Sequence, residues 1–439
     1  MMKCLLVAGT QSGVGKTTIT LAILKALKDS GYSVQSFKVG PDFIDPSHLE
    51  KVTDEPCYNL DSFMMGDQGV RRELAKGDAD YAVIEGAMGL YDGISSCAKI
   101  GDLLKIPILL IVDASASSES VAAQALGFIK YASFTPYKLT IAGVIANRVG
   151  SEKHAESIRR SLKAINVPLI GTIEREASGI PSRHLGLYMG AETSLSASAL
   201  KSIYDSLDIE FIQRAAAQLT LDRPQEPRRT REAVIGIAMD AAFCFYYRSN
   251  IESIQKHARV VYFSPIRDAL PDVDGLYFGG GYPELHATQL SANRHLLDDV
   301  RTNADDGMPI YGECGGLMYL SRSLSTVENK RVSLTNILPV DIQMTQKLQA
   351  LGHMEVEAVR DCAIARIGDT LRGHEYHYST ALVDRDARFA YRVTKGDGID
   401  AHDGIMESNV VASYLHAHVY SMPHEFDLFV ANANAFSRS

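Results

Sequence analysis

Ten residues near the start of the chain could bind phosphate: Gly9-Thr10-Gln11-Ser12-Gly13-Val14-Gly15-Lys16-Thr17-Thr18. They lie between an apolar run and a helical pattern. In that context backbone N–H groups and the positive helix end cradle phosphates, Lys16 reaches the outer ones, and the Thr17 hydroxyl can hold Mg²⁺. Gly9, Thr10, Gly13, Gly15, Lys16, Thr17 and Thr18 are the nucleotide-binding candidates. The spacing is unusual in one respect: counting back from Gly15-Lys16-Thr17, the first glycine belongs at position 10, and it stands at Gly9. Two charged stretches follow. "KVGPDFIDP" offers Lys38, Asp42 and Asp45, and "VIEGAMGLYDG" offers Glu85 and Asp92. At the carboxyl ends of strands these side chains face the same crevice as the loop, where carboxylates hold Mg²⁺ or position a substrate. Asp42 and Asp45 also suit turns and helix caps. Glu85, inside an apolar strand, is costly to bury without a partner.

The second half carries a thiol. "PIYGECGGLMYL" sets Cys314 between an apolar run and a helical pattern, with Gly315 and Gly316 behind it. That is the layout of a nucleophile elbow, a sharp strand-to-helix turn that exposes its side chain. A helix N-terminus there is expected to lower the thiol pKa, and the N–H near Gly315 to stabilise an oxyanion. Upstream, Gly279-Gly280-Gly281 is suited to supply a second oxyanion donor. A base is also needed. His416 and His418 in "VVASYLHAHVY", at the end of a further strand, and His374 and His377 in "GHEYHYS" all qualify at this level. Histidines two apart also suggest a metal, but no third ligand stands at zinc-like spacing.

These residues need a scaffold that gathers strand ends. "KCLLVAG", "SVQSFKVG", "YAVIEGA", "IPILLIVDA", "LTIAGVIANRV" and "VPLIGTI" read as buried strands separated by helical stretches, the first helix ending at Gly31. Such a pattern predicts a mostly parallel α/β sheet. Residues 219–232, "LTLDRPQEPRRTRE", are polar and basic and read as a linker. "AVIGIAMD", "RVVYFSP", "GLYFGGG" and "PIYGECGG" then begin a second α/β unit that reaches the C-terminus. The expected domains are 1–218 and 233–439.

Composition narrows the function classes. The 439 residues suit two or three domains, and the net charge of -9 comes with no long basic run, which argues against nucleic acid. The six cysteines form no CxxC pair and read as reduced. No apolar run approaches a membrane span. A cytoplasmic protein is expected, with no membrane partner, and either monomeric or homo-oligomeric.

Eight segments, in order across both halves, carry a family resemblance: "GTQSGVGKTT", "FKVGPDFIDP", "YNLDSFM", "IEGAMGLYDG", "GGGYPELHA", "YGECGGLMYL", "GHEYHYS" and "ASYLHAH". The chain resembles the cobyrinic acid a,c-diamide synthase family of cobyric acid synthase-like glutamine amidotransferases, which includes Ni-sirohydrochlorin a,c-diamide synthases. Its shifted glycine resembles the loop of dethiobiotin synthetase-like enzymes, which use ATP to activate a carboxylate. Partitioning ATPases carry an extra early lysine in the loop, where this chain has Thr10, Gln11 and Ser12.

The resemblance implies a dethiobiotin synthetase-like P-loop domain followed by a class I glutamine amidotransferase-like domain. It implies ATP and Mg²⁺, with glutamine and a tetrapyrrole polycarboxylate as substrates. Cys314 would be the glutamine nucleophile and His416 its activating base. Gly280, Gly281 and Gly315 would line the oxyanion site. Thr17, Asp45 and Glu85 would hold the metal, and Lys38, Asp42, Asp45 and Asp92 would serve the substrate or acyl phosphate. The common class I pattern places a Glu two residues after the histidine. Position 418 is His instead, so what orients His416 is left open. The same motifs suit cobyrinic acid, hydrogenobyrinic acid and Ni-sirohydrochlorin. Two other classes compete with this reading: a nucleotide switch with a partner-binding C-terminal half, and a binding module on an inactive amidotransferase fold.

Overall fold

Val, Ile and Leu runs with no polar face must be covered on both sides, and helices do this in the first half of the chain. In the computed structural model the described residues are 1–175, 182, 183, 186, 187, 189, 190, 193, 195–221 and 233–437. Residues 222–232 of the expected linker lie outside them. The chain divides into two units: Met1–Ser62 with Asp67–Pro224, and Phe63–Gly66 with Gln225–Ser439.

In the first unit the strands are β1 (Met2–Gly9), β2 (Val34–Val39), β3 (Tyr58–Leu60), β4 (Tyr81–Glu85), β5 (Pro107–Asp113), β6 (Thr140–Val149) and β7 (Leu169–Glu174). They form a sheet in the order β3-β2-β4-β1-β5-β6-β7, with parallel neighbours throughout. A short β8 (Ala217–Leu219) lies antiparallel along the first residues of β1. Helix α1 (Lys16–Asp29) starts where the glycine loop ends, and Gly31 takes the left-handed φ of +87° that lets the chain turn back into β2. Helix α2 (Ile44–Thr53) follows β2 directly. With β1, β2 and β4 side by side, the loop, Lys38 and Glu85 all arrive at one edge, as parallel strands require.

In the second unit β9 (Val234–Ala238), β10 (Phe243–Phe245), β11 (Arg259–Phe263), β12 (Gly275–Phe278), β13 (Gly280–Gly281), β14 (Ile310–Glu313) and helix α3 (Gly315–Leu320) build the expected α/β portion. From Ser321 onward the chain does something the sequence reading did not resolve. It runs through mainly antiparallel strands, among them β15 (Leu338–Met344), β16 (Ala350–Ala358), β17 (Thr370–His377), β18 (Arg388–Lys395), β19 (His402–Glu407), β20 (Val410–Ser413) and β21 (His416–Ala417). The main sheet runs β11-β9-β12-β14-β20-β19-β18-β16-β17-β21, parallel as far as β20 and antiparallel after it. Alternating burial along Leu338–Met344 is the period-two signature of a strand with one wet face.

Two hydrophobic clusters sit in this unit. Leu317, Met318 and Leu320 of α3 belong to one, and Tyr277, Tyr311 and Phe426 to the other. Among the described residues no helix is long and apolar enough to cross a membrane.

The elbow depends on a close backbone crossing. A Cβ on Gly316 would lie 2.2 Å from the Phe278 carbonyl oxygen, and backbone cannot yield as a side-chain tip can. Gly316→Ala is expected to cost about 1–3 kcal/mol, the usual penalty of overpacking, read as a lowered urea midpoint. An unchanged midpoint would mean that α3 is free to slide away from β12.

Candidate active sites

The phosphate loop leaves β1 at Gly9, and the Thr10 amide donates to the Ile111 carbonyl at 3.1 Å. Gly13 and Gly15 both take positive φ, +74° and +95°, so the turn is one that glycine accommodates without strain. Gly15 has a second reason to lack a side chain: a Cβ there would lie 2.4 Å from Asn147 Nδ2. Asn147 donates to the Val14 carbonyl at 2.8 Å, and Arg148 donates to the Gly13 carbonyl at 2.8 Å while pairing with Asp113. The sequence reading missed both residues. The signal available was an Asn-Arg pair at the carboxyl end of β6, the edge where loops meet ligands.

Behind the loop lies a cluster of buried charge. Lys38, at the end of β2, donates to Asp45 Oδ2 at 2.5 Å, to Glu85 Oε1 at 2.9 Å and to the Gly86 carbonyl at 3.3 Å. Thr17 Oγ1 donates to Glu85 Oε1 at 2.6 Å. Thr18 is half-buried in the first turn of α1. Lys16 holds the carbonyls of Gln11 at 3.0 Å and Met88 at 2.6 Å, bridging the phosphate loop to the segment after β4. Burial and the neighbouring Lys38 ammonium lower its pKa.

The carboxylates differ in role. Burial lifts Glu85 to about 7, the Asp45 charge adding to it while Lys38 opposes. Asp45 is also pushed up by burial, but the Lys38 ammonium outweighs this and holds it below the usual range. For Lys38 itself burial works against charge, yet Asp45 and Glu85 raise it well above its ordinary value. Asp42 Oδ1 accepts from the amides of Ile44 at 2.7 Å and Asp45 at 3.0 Å, so it caps the start of α2. Burial, with the Asp45 charge, raises it to about 6. Asp92 is exposed and accepts from the Gly89 amide at 3.1 Å. The structure thus gathers Lys16, Thr17, Lys38, Asp45 and Glu85, and gives Asp42 and Asp92 local backbone partners. Among the described residues no three His, Cys, Asp or Glu side chains form a metal cage.

In the second unit Cys314 sits at φ 46°, ψ −89°, a strained position for a residue with a Cβ. Its amide donates to the Ser413 carbonyl at 2.7 Å, tying β14 to β20 at the turn. A Cβ on Gly315 would lie 3.2 Å from the Gly281 amide nitrogen, and one on Gly280 would lie 2.4 Å from His416 Cε1. The glycine strand therefore contacts both the residue after the thiol and the His416 ring.

His416 does not end the Val410–Ser413 strand. It lies on the separate two-residue β21, paired with His374 of β17 and stacked on its ring at 4.8 Å. Asn250 fastens this strand by donating to the Ala417 carbonyl and accepting from the Val419 amide, both at 2.8 Å. The other histidines are engaged elsewhere. His374 Nδ1 meets the Tyr247 hydroxyl at 2.7 Å, His377 Nδ1 meets the Ser379 carbonyl at 2.9 Å, and His418 Nδ1 accepts from the Tyr420 amide at 3.2 Å. Burial drives His374 well below its ordinary pKa and His377 to about 4.

One expectation is corrected. The helix N-terminus does not make Cys314 a ready thiolate. Burial pushes the thiol pKa far up, and the charges of Glu284, Glu313 and Asp403 add to it. Helix α3 has only six residues, and its end does not offset that desolvation. This environment favours the protonated thiol, and a base that takes its proton would assist attack. The sequence reading also missed Glu313, whose carboxylate lies 3.6 Å from His416 Nδ1.

Comparison with known proteins finds a family match for each half of the chain. Residues 5–187 match the family model for the CobQ/CobB/MinD/ParA nucleotide binding domain, and residues 234–423 match that for the CobB/CobQ-like glutamine amidotransferase domain. The chain is 43% identical over 428 residues to a cobyrinate a,c-diamide synthase of Haloarcula marismortui, covering 95% of this chain and 96% of that one. It is 43% identical to the enzyme of that name from Halobacterium salinarum, covering 98% and 97%. With the one from Methanobrevibacter smithii it shares 40%, over 95% and 96%.

Lys38 is the cation that makes the buried carboxylates tolerable. In Lys38→Ala both would be buried unpaired, and their folded pKa values would rise above the unfolded ones. The stability they contribute is then complete below about pH 4 and is lost as pH climbs through the raised values. The expected loss is about 3–5 kcal/mol near neutral pH and above, shrinking as pH falls, read by urea unfolding across the pH range. An equal loss at every pH would locate the defect in packing.

Proposed function

Because the chain belongs to the cobyrinate a,c-diamide synthase family, we propose that it converts the a and c carboxylates of cobyrinic acid to amides, using ATP and the amide nitrogen of glutamine. The observation that carries this reading is the pairing, in one chain, of a phosphate loop backed by Lys38, Asp45 and Glu85 with a cysteine elbow on a glycine strand that also meets the His416 ring. The family membership sets aside the nucleotide-switch and inactive-module readings. We also retain 1–218 and 233–439 as the functional domains.

In the second unit His416 takes the Cys314 proton as sulfur attacks the glutamine carboxamide carbon. The amides of the Gly280-Gly281 strand and of Gly315 receive the oxyanion. The proton passes to the departing ammonia, and water then cleaves the thioester to glutamate.

In the first unit Gly9, Thr10, Gly13, Gly15, Thr17 and Thr18 shape the cradle for ATP, and Lys16 meets the outer phosphates. The substrate carboxylate oxygen attacks the γ-phosphorus, the bond to ADP breaks, and an acyl phosphate forms. Ammonia then displaces phosphate, a far better leaving group than hydroxide. Lys38 steadies the carboxylates that face this chemistry, with Asp42 fixing the start of α2 and Asp92 fixing the turn at Gly89.

The donor set suits Mg²⁺. Thr17, Asp45 and Glu85 offer only oxygen, and Glu85 Oε2 is buried without a hydrogen-bond partner. Mg²⁺ held there would neutralise charge on the transferring phosphoryl group.

Cys314→Ala is expected to abolish glutamine-driven amidation while ammonium salts still support it. Loss of both would contradict two separate half-reactions. Lys16→Ala should stop amidation from either nitrogen source, and full activity would remove the loop from the mechanism. The ring is named by offering cobyrinic acid, hydrogenobyrinic acid and Ni-sirohydrochlorin separately and reading products by mass. Conversion of two carboxylates on cobyrinic acid supports the reading; conversion only on another ring replaces it.

A further inference from the structure

The glutaminase half lacks the acidic residue expected two positions after its histidine. Position 418 is His, which caps a short turn through the Tyr420 amide. Some other group must hold the His416 ring in the tautomer that leaves Nε2 open towards the thiol.

The second unit has three fully buried carboxylates among its described residues: Glu313, Glu375 and Asp403. Two are committed. Glu375 accepts from the Asp397 amide at 2.6 Å and the Gly398 amide at 3.0 Å, one on each oxygen. Asp403 accepts from the Tyr414 and Leu415 amides, both at 3.0 Å, again one on each oxygen. Both therefore shape backbone. Glu313 differs. Its Oε1 accepts from the Tyr311 hydroxyl at 2.7 Å, while Oε2 is buried, has no hydrogen-bond partner, and lies 3.6 Å from His416 Nδ1. An unsatisfied buried carboxylate oxygen costs free energy that packing alone does not recover.

We propose that Glu313, the residue before the nucleophile, is the positioning residue of His416: it accepts the Nδ1–H and leaves Nε2 to take the Cys314 proton. This rests on the glutaminase reading above.

The geometry supports it in three ways. First, Glu313 is the last residue of β14 and Cys314 begins the elbow. Alternation along the strand puts Glu313 on the same face as Tyr311, so the carboxylate and the thiol leave one strand end in different directions. One backbone thus sets nucleophile and positioning group together. Second, the Tyr311 hydroxyl holds Oε1, so the carboxylate keeps one orientation. Third, 3.6 Å lies just beyond hydrogen-bond reach, and resting catalytic hydrogen bonds are often long and tighten when substrate binds. When His416 becomes imidazolium, the charge on Glu313 stabilises it. Among the described residues His374, stacked on the ring, and His377, held by the Ser379 carbonyl, also interact electrostatically with His416. Neither supplies a negative charge.

The test compares Glu313→Gln and Glu313→Asp with the wild type and with Cys314→Ala. Glu313→Gln is expected to lower glutaminase kcat by about 100-fold or more, with KM for glutamine little changed and ammonium-driven amidation retained. Without the negative charge the imidazolium is less stable, so the acidic limb of the kcat/KM profile should move to lower pH. Glu313→Asp keeps the charge and should keep the limb while recovering part of kcat. Wild-type kcat with an unmoved limb in Glu313→Gln would overturn the proposal. If Glu313→Gln fails to fold, ¹⁵N-histidine NMR of the wild type decides: the proton of neutral His416 on Nδ1 supports the proposal, and on Nε2 overturns it. Glutamine hydrolysis surviving in Cys314→Ala would instead overturn the glutaminase reading itself.

Discussion

One ammonium buried between two carboxylates holds the first site together. Lys38, Asp45 and Glu85 come from β2, the start of α2 and the end of β4. None is far enough from water-excluded surroundings to be indifferent to the others. The carboxylates bring two negative charges when ionised and Lys38 returns one, so the cluster is left short of positive charge. Lys16 stands just outside it, held to the Gln11 and Met88 carbonyls. A site balanced in this way favours the arrival of a cation together with phosphate, because the cation completes the charge count that the protein leaves open. The parallel sheet matters here because it is the arrangement that delivers three successive strand ends to one edge without long loops.

The second site is held by backbone rather than by charge. Gly316 lets the elbow cross the Phe278 carbonyl within a distance that a Cβ would forbid, and a Cβ on Gly315 would be tight against the Gly281 amide. The strain at Cys314 is the counterpart of that closeness. A left-handed φ at a residue with a side chain persists only where its surroundings over-determine it, and here the Ser413 carbonyl and the crossing at Phe278 do so. The same burial that fixes the thiol keeps it protonated. In the proposed mechanism nucleophile strength then comes from the base at the moment of attack, so the orientation of His416 matters there.

Much of this was legible in the sequence, and for physical reasons. Buried parallel strands read as unbroken apolar runs, so β1, β2, β4, β5, β6 and β7 stood out, as did β9, β11, β12 and β14. A glycine loop before a helix and a Cys-Gly-Gly after a strand carry their chemistry in residue type. Other parts leave no such trace. Strands such as β15 and β16 are half wet and mix polar with apolar residues, so no long apolar run marks them. Asn147 and Arg148 act through carbonyls of a loop more than a hundred residues away. The choice among four histidines turned on long-range pairing of β21 with β17. Glu313 looked like an ordinary strand residue, because its partner is 103 positions further along the chain.

That last case bears on how such sites can vary. A positioning carboxylate must reach the far nitrogen of the histidine, and the chain has more than one way to bring it there. Two residues after the histidine, it travels with the base. One residue before the cysteine, it travels with the nucleophile. In the second arrangement any shift of β21 changes the distance from base to both partners at once, whereas the separation between Glu313 and Cys314 stays fixed by one peptide unit. His416 in turn is set by the pairing of β21 with β17 and by the two hydrogen bonds of Asn250.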